Sequence, residues 1–519
     1  MTTKKMVVLA LMGVAFVGIA GGAEIMVSQD IATSQTWTAD NVYNLQAIIH
    51  VLPGATLTIE PGTLIQTTDY AQSGVFGSMV VCRGAQIYVN GTQHAPVIMT
   101  SSKDTLTEWH EGAAEWGNLT IMGNALLSAS IDTAAKGVPL VINGRPNTAI
   151  PDGLNQKVME GLTPAFTGDT RPLYGGNDDD DCSGALHFLS IRYGGFTLAP
   201  GVELNGLSMG AIGRETDVDH VEIMNNVDDG IETWGGTVNY KYINIWNIGD
   251  DSFDFDEGWR GKAQFGLIVQ GYSLDAGQGS GVGDNCFEHD GAEDSDAQPV
   301  TTAVIYNFTA VGQPLDGDQG TAWRDNCRMQ YHNCIWMDLG EQLVKFDNSD
   351  GDGAHGYGYN GTLSWEDTWT TPYTVTSLVN AGIAGTFSDP SVMYQAQTSG
   401  MLAEITDSVF YNNLFNKAYD EATARGVLDD VTNVVATEMP IQQLDRGAMV
   451  TKGGKKMLPV TFINPCAAND ATTSVATAPA DGFLTPAPFR GGFPYNYNWL
   501  ADWTAVDAYG MTDTSMNVR

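Results

Sequence analysis

Short runs of β-branched and aromatic residues, separated by Gly, Asn and Asp, recur along most of the chain before about residue 415. Apolar and polar positions alternate within these runs, as they do in half-buried strands, and no helical period of useful length appears. The pattern therefore predicts an all-β chain. Because a solenoid grows turn by turn, a search for internal repeats decides whether so long a chain forms one domain or several.

A repeat of 22 residues occupies the middle of the chain. The segment VEIMNNVDDGIETWGG, which begins at Val221, aligns with INIWNIGDDSFDFDEG from Ile243. A third copy is DNCFEHDG (284–291), and weaker echoes follow at GTAWRD (320–325) and LVKFDN (343–348). Each strand residue advances roughly 3.3 Å, so this period suits one turn of short strands and their connections. We therefore predict the stacked turns, or rungs, of a right-handed parallel β-helix, which is a solenoid.

Alternation within each predicted strand assigns side chains to the inside or the outside of the solenoid, because neighbouring residues point to opposite faces. Two interior columns are expected: Ile231, Phe253, Phe287, Thr321 and Val344, and Thr233, Phe255, His289, Trp323 and Phe346. Two outer columns should alternate with them: Glu232, Asp254, Glu288, Ala322 and Lys345, and Trp234, Asp256, Asp290, Arg324 and Asp347. Asn225 and Asn247 occupy matching turn positions, where we expect a ladder of stacked amides rather than a ligand site.

The same strand and turn pattern extends in both directions from the repeat. It predicts first rungs at 51–65, 79–91 and 95–102, and a late rung at 404–413. Two Gly-rich, polar stretches interrupt the spacing and are expected to be long loop insertions, near 123–183 and 271–283.

These boundaries place the β-helix at 24–415. The remainder, 416–519, is expected to be a C-terminal cap region that begins with one helix at 416–426. A solenoid needs a cap because its last rung would otherwise expose apolar core and unpaired strand edge.

The first 23 residues have the features of a secretory signal peptide. Lys4 and Lys5 precede an apolar run from Met6 to Ala20, and small residues follow through Ala23. A transmembrane anchor is the alternative, but the run is shorter than the roughly 18 apolar residues that a span needs, and no second such run follows. We therefore predict cleavage after Ala23, no membrane span in the mature chain, and a location outside the cytoplasm, either secreted or at the cell surface.

Acidity limits the possible partners. Removal of residues 1–23 takes away two lysines and no acidic residue, so the formal charge changes from −37 to −39. A charge of this sign argues against nucleic acid as a partner. The chain is only 16% charged and 43% hydrophobic, so the acidic excess belongs to a folded domain rather than a disordered tail. The acidic excess is typical of a protein that binds divalent cations or works in a medium of high salt concentration. The alternative is that it only increases solubility.

Several segments resemble a broad group of secreted, largely uncharacterised bacterial β-helix proteins with a pectin-lyase-like fold. They are EWGNLTIMG (115–123), YGGNDDDD (174–181), the stretch 203–239, GKAQFGLIVQG (261–271) and FRGGF (489–493). Many proteins of this group come from Gram-negative surface and gliding bacteria. The resemblance covers most of the chain and implies the fold and export. It implies no particular reaction.

A narrower resemblance concerns two rungs. NVDDGIE (226–232) and GDDSFDF (249–255) are similar to the NTDGID and GDDCIAI rungs of polygalacturonases, hydrolases of the same fold in which these aspartates act as general acid and base on galacturonan. That family continues with a GHG rung and an R-x-K motif. Here Asn285 stands where the histidine is expected, and no R-x-K follows in register. A GDD turn can also be ordinary turn chemistry, because Asp accepts backbone N–H groups.

Two kinds of catalysis are open to these residues. A glycoside hydrolase needs two carboxyl groups, one of them kept protonated, and the candidates are Asp228, Asp250 and Asp251. We expect most of the acids on the outer face to be exposed and ionised, which counts against this role. A lyase on this fold would hold a uronate carboxylate with calcium and use a basic residue to remove a proton, for which the candidates are Arg324 and Lys345. The alternative is that these basic residues only balance the acidic columns.

Calcium is the suspected cofactor, because the outer columns are rich in the oxygen ligands that it prefers. The candidate ligands are Asp254, Asp256, Glu288 and Asp290, and a second candidate site is the loop run Asp178, Asp179, Asp180 and Asp181. Three rungs should also align Asp228 with Asp250 and Asp284, and Glu232 with Asp254 and Glu288. Carboxylates that close would repel one another unless a cation lay between them. For the loop run, an ordinary solvated charge cluster is the alternative.

Trp234 and Trp259 are candidates for stacking on sugar rings, although aromatic residues on a β-helix also serve to hold a lateral loop. Taken together, the residues favour a structural or binding role over catalysis. The expected roles are an adhesin, a self-assembling matrix or filament component, or a polysaccharide-binding module. A lyase or hydrolase that acts on an acidic glycan is the alternative.

Overall fold

The computed structural model describes residues 22–128, 156–198, 202–271, 282–292, 299–346, 363–374, 393–414, 431–473, 475, 477–515 and 517. Most of the predicted signal peptide, the predicted helix at 416–426 and the central parts of both predicted insertions lie outside these residues. Within the described ranges, no helix has the length and apolar composition to cross a membrane.

Strands dominate the described residues. They are β1 (Glu24–Val27), β2 (Gln35–Trp37), β3 (Val42–Leu45), β4 (Ile48–Val51), β5 (Thr56–Ile59), β6 (Leu64–Thr67), β7 (Ser78–Val81), β8 (Gln86–Asn90), β9 (Val97–Ser101), β10 (Leu119–Met122), β11 (Lys157–Val158), β12 (Leu173–Tyr174), β13 (Gly184–Arg192), β14 (Leu207–Gly210), β15 (Asp217–Asn226), β16 (Ile231–Trp234), β17 (Asn239–Ile248), β18 (Phe253–Asp256), β19 (Lys262–Val269), β20 (Phe287–Asp290), β21 (Thr302–Val311), β22 (Thr321–Arg324), β23 (Arg328–His332), β24 (Ile335–Met337), β25 (Val344–Phe346), β26 (Glu404–Thr406), β27 (Val409–Tyr411), β28 (Val434–Val435), β29 (Ile441–Arg446), β30 (Val450–Lys452), β31 (Lys455–Met457) and β32 (Val460–Ala467).

Helices are short. They are α1 (Tyr70–Ser73), α2 (Trp365–Thr370), α3 (Ala505–Ala508) and a 3₁₀ turn at Asn469–Thr472.

The strands stack into parallel sheets, and the all-β right-handed parallel β-helix is confirmed. One sheet has nine strands in the order β25, β22, β20, β18, β16, β14, β10, β7 and β4. A larger, 17-stranded sheet forms the rest of the solenoid wall. Every strand pair between neighbouring rungs is parallel in the repeat region, so each rung places its side chains directly on those of the next.

The long strands of the larger sheet bend from one face of the solenoid to the next at a residue with left-handed backbone. In β13, residues 184–187 pair with β8 and residues 189–191 pair with β9, and Phe188 between them has φ 48°. His220 and Tyr242 hold the same place in β15 and β17, with φ 53° and 58°. Each rung in the middle of the chain therefore presents three faces, one from the nine-stranded sheet and two from the larger sheet.

The observed register confirms the 22-residue repeat. Ile231 pairs with Phe253, Phe253 with Phe287, Phe287 with Thr321 and Thr321 with Val344, and all five are fully buried. The late rung is confirmed as well, because β26 and β27 pair with β23 and β24.

The amide ladder predicted in the turns is also present. The side-chain amide of Asn247 donates to the side-chain oxygen of Asn225 at 3.1 Å. Both residues have left-handed backbone, which Asn tolerates better than most residues. The two asparagines therefore stabilise the turns of neighbouring rungs.

The outer columns are not exposed as the sequence led us to expect. Glu232, Asp254 and Trp234 retain only 8%, 6% and 5% of their accessible surface. The reason is that the insertion predicted near 123–183 folds back over the nine-stranded sheet. Its β11–β12 hairpin brings Tyr174 against Trp234, with ring centroids 6.1 Å apart.

Ionic contacts fasten this insertion to the solenoid. Arg260, which is fully buried, donates from both terminal nitrogens to the carboxylate of Asp179, at 2.7 and 2.8 Å. Lys157 forms an ion pair with the buried Glu257, and the hydroxyl of Tyr174 donates to the same carboxylate at 2.8 Å. The insertion is therefore an ordered part of the wall in its described residues.

The C-terminal region does more than cap the last rung, and the prediction of a simple end cap needs correction. β28 adds to the end of the larger sheet, but the antiparallel pair β29 and β32 and the following chain lie along its side. Arg490 donates to the Asp407 carbonyl at 2.6 Å, near the late rung. Asp502 faces His94 of an early rung at 3.5 Å. An apolar strip on the outside of the sheet, which includes Trp246, is the physical reason for this lateral cover.

Candidate metal centre

Acidic turns of neighbouring rungs lie next to one another beside the nine-stranded sheet. Asp228 and Asp229 precede β16, Asp250 and Asp251 precede β18, and the two strands pair in parallel. Asp284 continues the column in the turn before β20. Because paired strands lie only about 4.8 Å apart, the sequence repeat itself brings these carboxylates together.

Seven carboxylates form three overlapping groups, and within each group one oxygen from every member lies within 4.8 Å of the others. The groups are Asp228 with Asp229 and Asp250, Asp250 with Asp251 and Asp284, and Asp229 with Glu232 and Asp254. We call these seven residues the acidic cluster. Asp229 and Asp250 each belong to two groups, so the cluster is continuous along three rungs.

Two members of the acidic cluster also hold the backbone of the next rung. Asp229 Oδ1 accepts from the Asp251 N–H at 2.9 Å, and Asp251 Oδ1 accepts from the Asn285 N–H at 2.6 Å. One rung earlier, Asn205 Oδ1 accepts from the Asp229 N–H at 3.2 Å. These bonds explain why short side chains with an acceptor oxygen recur at this turn position.

Burial raises the pKa of six carboxyls in the acidic cluster, those of Asp228, Asp229, Glu232, Asp250, Asp251 and Asp254. Burial, followed by the charges of Asp228 and Glu232, raises the pKa of Asp229 well above its usual range. Burial and the neighbouring Asp254 do the same for the pKa of Glu232. Asp250 is less enclosed, and burial together with Asp284 raises its pKa to about 7. The expectation that most of these acids are exposed is therefore wrong, and their burial disfavours the ionised form.

Within the cluster, Asp254 has the clearest unmet bonding capacity. Its Oδ1 atom is buried and has no hydrogen-bond partner. Burial and then Glu288 raise the pKa of this carboxyl well above its usual range. An unsatisfied buried oxygen costs roughly 1–3 kcal/mol, and a bound cation would remove that cost.

Arg324 neutralises two of the carboxylates that the sequence assigned to calcium. Its Nε donates to Asp290 Oδ1 at 2.7 Å, and its NH2 donates to Glu288 Oε2 at 2.6 Å. Although burial opposes its charge, Asp290 and Glu288 raise the pKa of this guanidinium far above its usual value. Arg324 therefore stays protonated, which is incompatible with its predicted role as a base. The charge-balance alternative is the one that the geometry supports.

The chain matches the profile of the pectate-lyase-like beta helix domain over residues 29–148 and 153–405. It belongs to that family. No match was found among curated proteins or among solved structures. The family region contains every rung that carries the acidic cluster and ends within β26.

The pectate-lyase-like fold does bring together the aspartates that resemble polygalacturonase residues. Asp228, Asp250 and Asp251 all belong to the acidic cluster. Asp256 lies one strand position beyond Phe255, on the outer face of β18, outside the three groups. Lys345 pairs with Ala322 in the predicted column, and its chemical role stays a prediction.

The loop run 178–181 is not gathered into one site in this β-helix. Asp179 is bound by Arg260, Asp180 forms an ion pair with Arg214, and Asp181 Oδ1 accepts from Asn124 at 2.8 Å. Asp178 Oδ1 accepts from the backbone of Asp180 at 3.1 Å. These carboxylates point to separate partners, so the second calcium candidate is not supported.

The tryptophans proposed for sugar stacking are both buried, and this prediction is wrong. Trp259 has no exposed surface, stacks on Phe255 at 3.8 Å, and donates its indole N–H to the Val238 carbonyl at 3.0 Å. Trp234 lies beneath Leu127 and Tyr174 of the insertion. Neither indole face is open to a glycan.

Two acidic residues outside the repeat also affect the acidic cluster, and nothing in the sequence places them near it. Glu160 and Glu203 both raise the pKa of Asp228, after burial. Asp229 joins two of the groups, and it was not among the predicted ligands. Its position 22 residues before Asp251 could have indicated this role. No local pattern, in contrast, indicates that Glu160 of the insertion approaches the cluster.

Proposed function

We propose that this protein is an exported β-helix that acts outside the cytoplasm, with Ca²⁺ in the acidic cluster and a structural or polysaccharide-binding role. The observation that carries the proposal is the set of three overlapping carboxylate groups, largely buried and each with oxygens within 4.8 Å of one another. Export rests on the N-terminal sequence, and self-assembly into a matrix or filament is part of the proposed structural role.

Electrostatics favour a cation at this place. At an effective dielectric constant of about 20, two like charges roughly 5 Å apart repel by about 3 kcal/mol before screening. The basic groups that lower the pKa of Asp250 are Lys455 and Arg324. Arg324 is already bound to Glu288 and Asp290. Since Arg324 is shared with these two carboxylates, a bound cation would supply positive charge that the group of Asp250, Asp251 and Asp284 needs.

The donor set favours calcium over transition metals. All seven ligand candidates are carboxylates, and hard oxygen donors in a flexible number are what Ca²⁺ takes. Asp250 and Asp284 are half-buried, whereas Asp229 and Asp251 are buried. A cation at the Asp250, Asp251 and Asp284 group would therefore keep a solvent-facing side.

That open side suggests how an acidic protein could bind an acidic glycan. The formal charge of −39 after removal of residues 1–23 repels a polyanion as a whole. A Ca²⁺ ion held by Asp250 and Asp284 can accept a further carboxylate oxygen, because it takes six to eight ligands. Glycan binding would then depend on calcium and weaken when it is chelated.

A glycoside hydrolase is the second candidate, favoured by one observation. Burial and Asp284 raise the pKa of Asp250 to about 7, so this carboxyl would suit a general acid that works near neutral pH. Against this role, a pair of catalytic carboxyl groups is normally separated by about 5 Å or more so that the sugar or a water fits between them. Oxygens within 4.8 Å suit a shared cation better. A lyase would need a base other than Arg324.

One screen separates these functions. Purified protein is incubated with acidic polysaccharides, with and without Ca²⁺, and the solution is assayed for new reducing ends and for absorbance of an unsaturated product. The proposal predicts retention on a glycan column only with Ca²⁺ and no product. New reducing ends alone would establish the hydrolase, and both signals would establish a lyase.

A further inference from the structure

A second group of metal-binding side chains lies on the larger sheet, outside the acidic cluster. His187 of β13 pairs in register with Asp219 of β15. Asp217 lies two residues before Asp219 on the same strand, so both carboxylates project from the same face. One ligand atom from each of the three residues lies within 4.8 Å of the others.

Each nitrogen of the His187 ring faces a carboxylate. Nδ1 lies 3.0 Å from Asp219 Oδ2, and Nε2 lies 3.5 Å from Asp217 Oδ2. The other oxygen of Asp219 lies 2.7 Å from Nδ1 of His220. Side-chain exposure is 28% for His187 and 69% for Asp217, so an ion has access from solvent.

Packing fixes the inner side of this group. The His220 ring is stacked between Phe188 and Tyr242, with centroids 4.1 and 4.4 Å away. The Trp503 ring meets its edge at 5.7 Å. His220 is therefore held in place, and its contact with Asp219 orients that carboxylate, as hydrogen bonds from residues behind a metal ligand commonly do.

The ammonium group of Lys241, on the next strand, does not pair with these carboxylates in the ion pairs that the structure describes. Lys241 pairs in register with Asp219 on the next strand. Its ammonium donates instead to the Phe483 carbonyl at 2.8 Å and to Thr485 Oγ1 at 2.7 Å, both from the C-terminal region. The two carboxylates are thus opposed only by imidazoles among the ion pairs that the structure describes for them.

We propose that His187, Asp217 and Asp219 form a binding site for a divalent transition-metal ion such as Zn²⁺. One imidazole and two carboxylates are common zinc ligands, and water completes the coordination of an open site. Imidazole also discriminates against Ca²⁺, which prefers oxygen. The donor chemistry therefore separates this site from the acidic cluster, and the inference does not depend on the proposed function.

The test is a Zn²⁺ titration of the untagged, metal-free full chain by calorimetry, in the presence of excess Ca²⁺ to saturate hard oxygen sites. We expect one saturable Zn²⁺ site, with affinity reduced by about tenfold or more in His187→Gln and in Asp217→Asn. Asp217 is mostly exposed, so its variant should retain the parent's melting temperature in metal-free buffer.

His94→Gln is the matched control, because His94 is an exposed histidine that faces one aspartate, Asp502, whereas His187 faces two. It should bind Zn²⁺ like the parent. Absence of a saturable Zn²⁺ site in the parent, or equal Zn²⁺ affinity in the parent, His187→Gln and Asp217→Asn, would overturn the proposal. Either result would mean that the group is an ordinary set of surface ion pairs.

Discussion

The backbone N–H of Asp251 donates to Oδ1 of Asp229 at 2.9 Å, across two rungs of the solenoid. The same Asp229 carboxylate belongs to two of the three groups in the acidic cluster. One side chain therefore connects rung stacking to the candidate calcium site. Its two contributions, an acceptor oxygen and a negative charge, can be separated by substitution.

Asp229→Asn keeps the acceptor and removes the charge, whereas Asp229→Ala removes both. In calcium-free buffer we expect Asp229→Asn to melt at or above the parent's temperature, because it relieves repulsion. Asp229→Ala should be less stable by about 1–3 kcal/mol, because the buried Asp251 N–H loses its partner. Thermal unfolding checks both, with the exposed Asp40→Asn as control. Equal destabilisation by the two variants would mean that the charge itself stabilises the fold.

When calcium is absent, the free energy of unfolding should decrease as pH rises toward 8. Burial and Asp284 raise the pKa of Asp250 to about 7, from a usual value of about 3.9. The folded chain therefore binds this proton more tightly than the unfolded chain. The resulting stabilisation is complete below about pH 4 and is lost as pH rises through about 7.

Melting temperature in calcium-free buffer should accordingly fall as pH rises from about 5 to about 8, and Asp250→Asn should flatten the slope. Calcium competes with these protons, so it should raise the melting temperature more at the higher pH. A melting temperature that rises steadily over this interval without calcium would show that the cluster is ionised in the folded chain at little cost.

The interior columns give a direct test of the rung register. Phe253 is fully buried and packs between rungs, with the Phe287 ring centroid 6.2 Å away. Phe253→Asp would bury an unpaired carboxylate and should cost several kcal/mol. Phe253→Leu keeps an apolar side chain and should cost less. Circular dichroism melts compare them, and a parent-like melt for Phe253→Asp would contradict the inward assignment.

Processing of the N-terminus can be read from the mass of the native protein. The signal-peptide prediction places the mature N-terminus at Glu24, which is also the first residue of β1. We expect intact-mass and N-terminal peptide data on the exported protein to begin there. Recovery of a native protein that retains Met1 to Ala23 would contradict both cleavage and the proposed route of export.

The sequence predicted what repetition determines and missed what distant segments determine. The 22-residue offset placed Ile231 beside Phe253 and Asp228 beside Asp250, because a constant spacing between these rungs allows only one register in a parallel stack. Trp234 and Asp254 were assigned correctly to the outer side of their strands but wrongly to solvent. Their burial depends on an insertion that starts about a hundred residues earlier, and no local pattern says over which sheet a long loop will fold.

The pKa values of the acidic cluster could not be foreseen for the same reason. Spacing alone indicates how close Asp228 and Asp250 lie along the stack, but a shift in pKa depends on solvent access and on every nearby charge. Glu160 reaches Asp228 from the insertion, and Arg324 reaches Glu288 from another rung. Of the four outer-column residues that the sequence suggested as calcium ligands, the structure groups Asp254 with Asp229 and Glu232 instead of with Asp256, Glu288 and Asp290.

The most direct measurement is a calorimetric Ca²⁺ titration of metal-free protein at fixed ionic strength, paired with melting curves. We expect saturable Ca²⁺ binding and a rise in melting temperature, equivalent to about 2.7 kcal/mol at a hundred times the dissociation constant. Both effects should be lost or strongly reduced in Asp250→Asn with Asp284→Asn and unchanged in the exposed control Glu60→Gln. No heat of binding, with the same melting temperature in calcium and in chelator, would contradict a calcium centre in the acidic cluster.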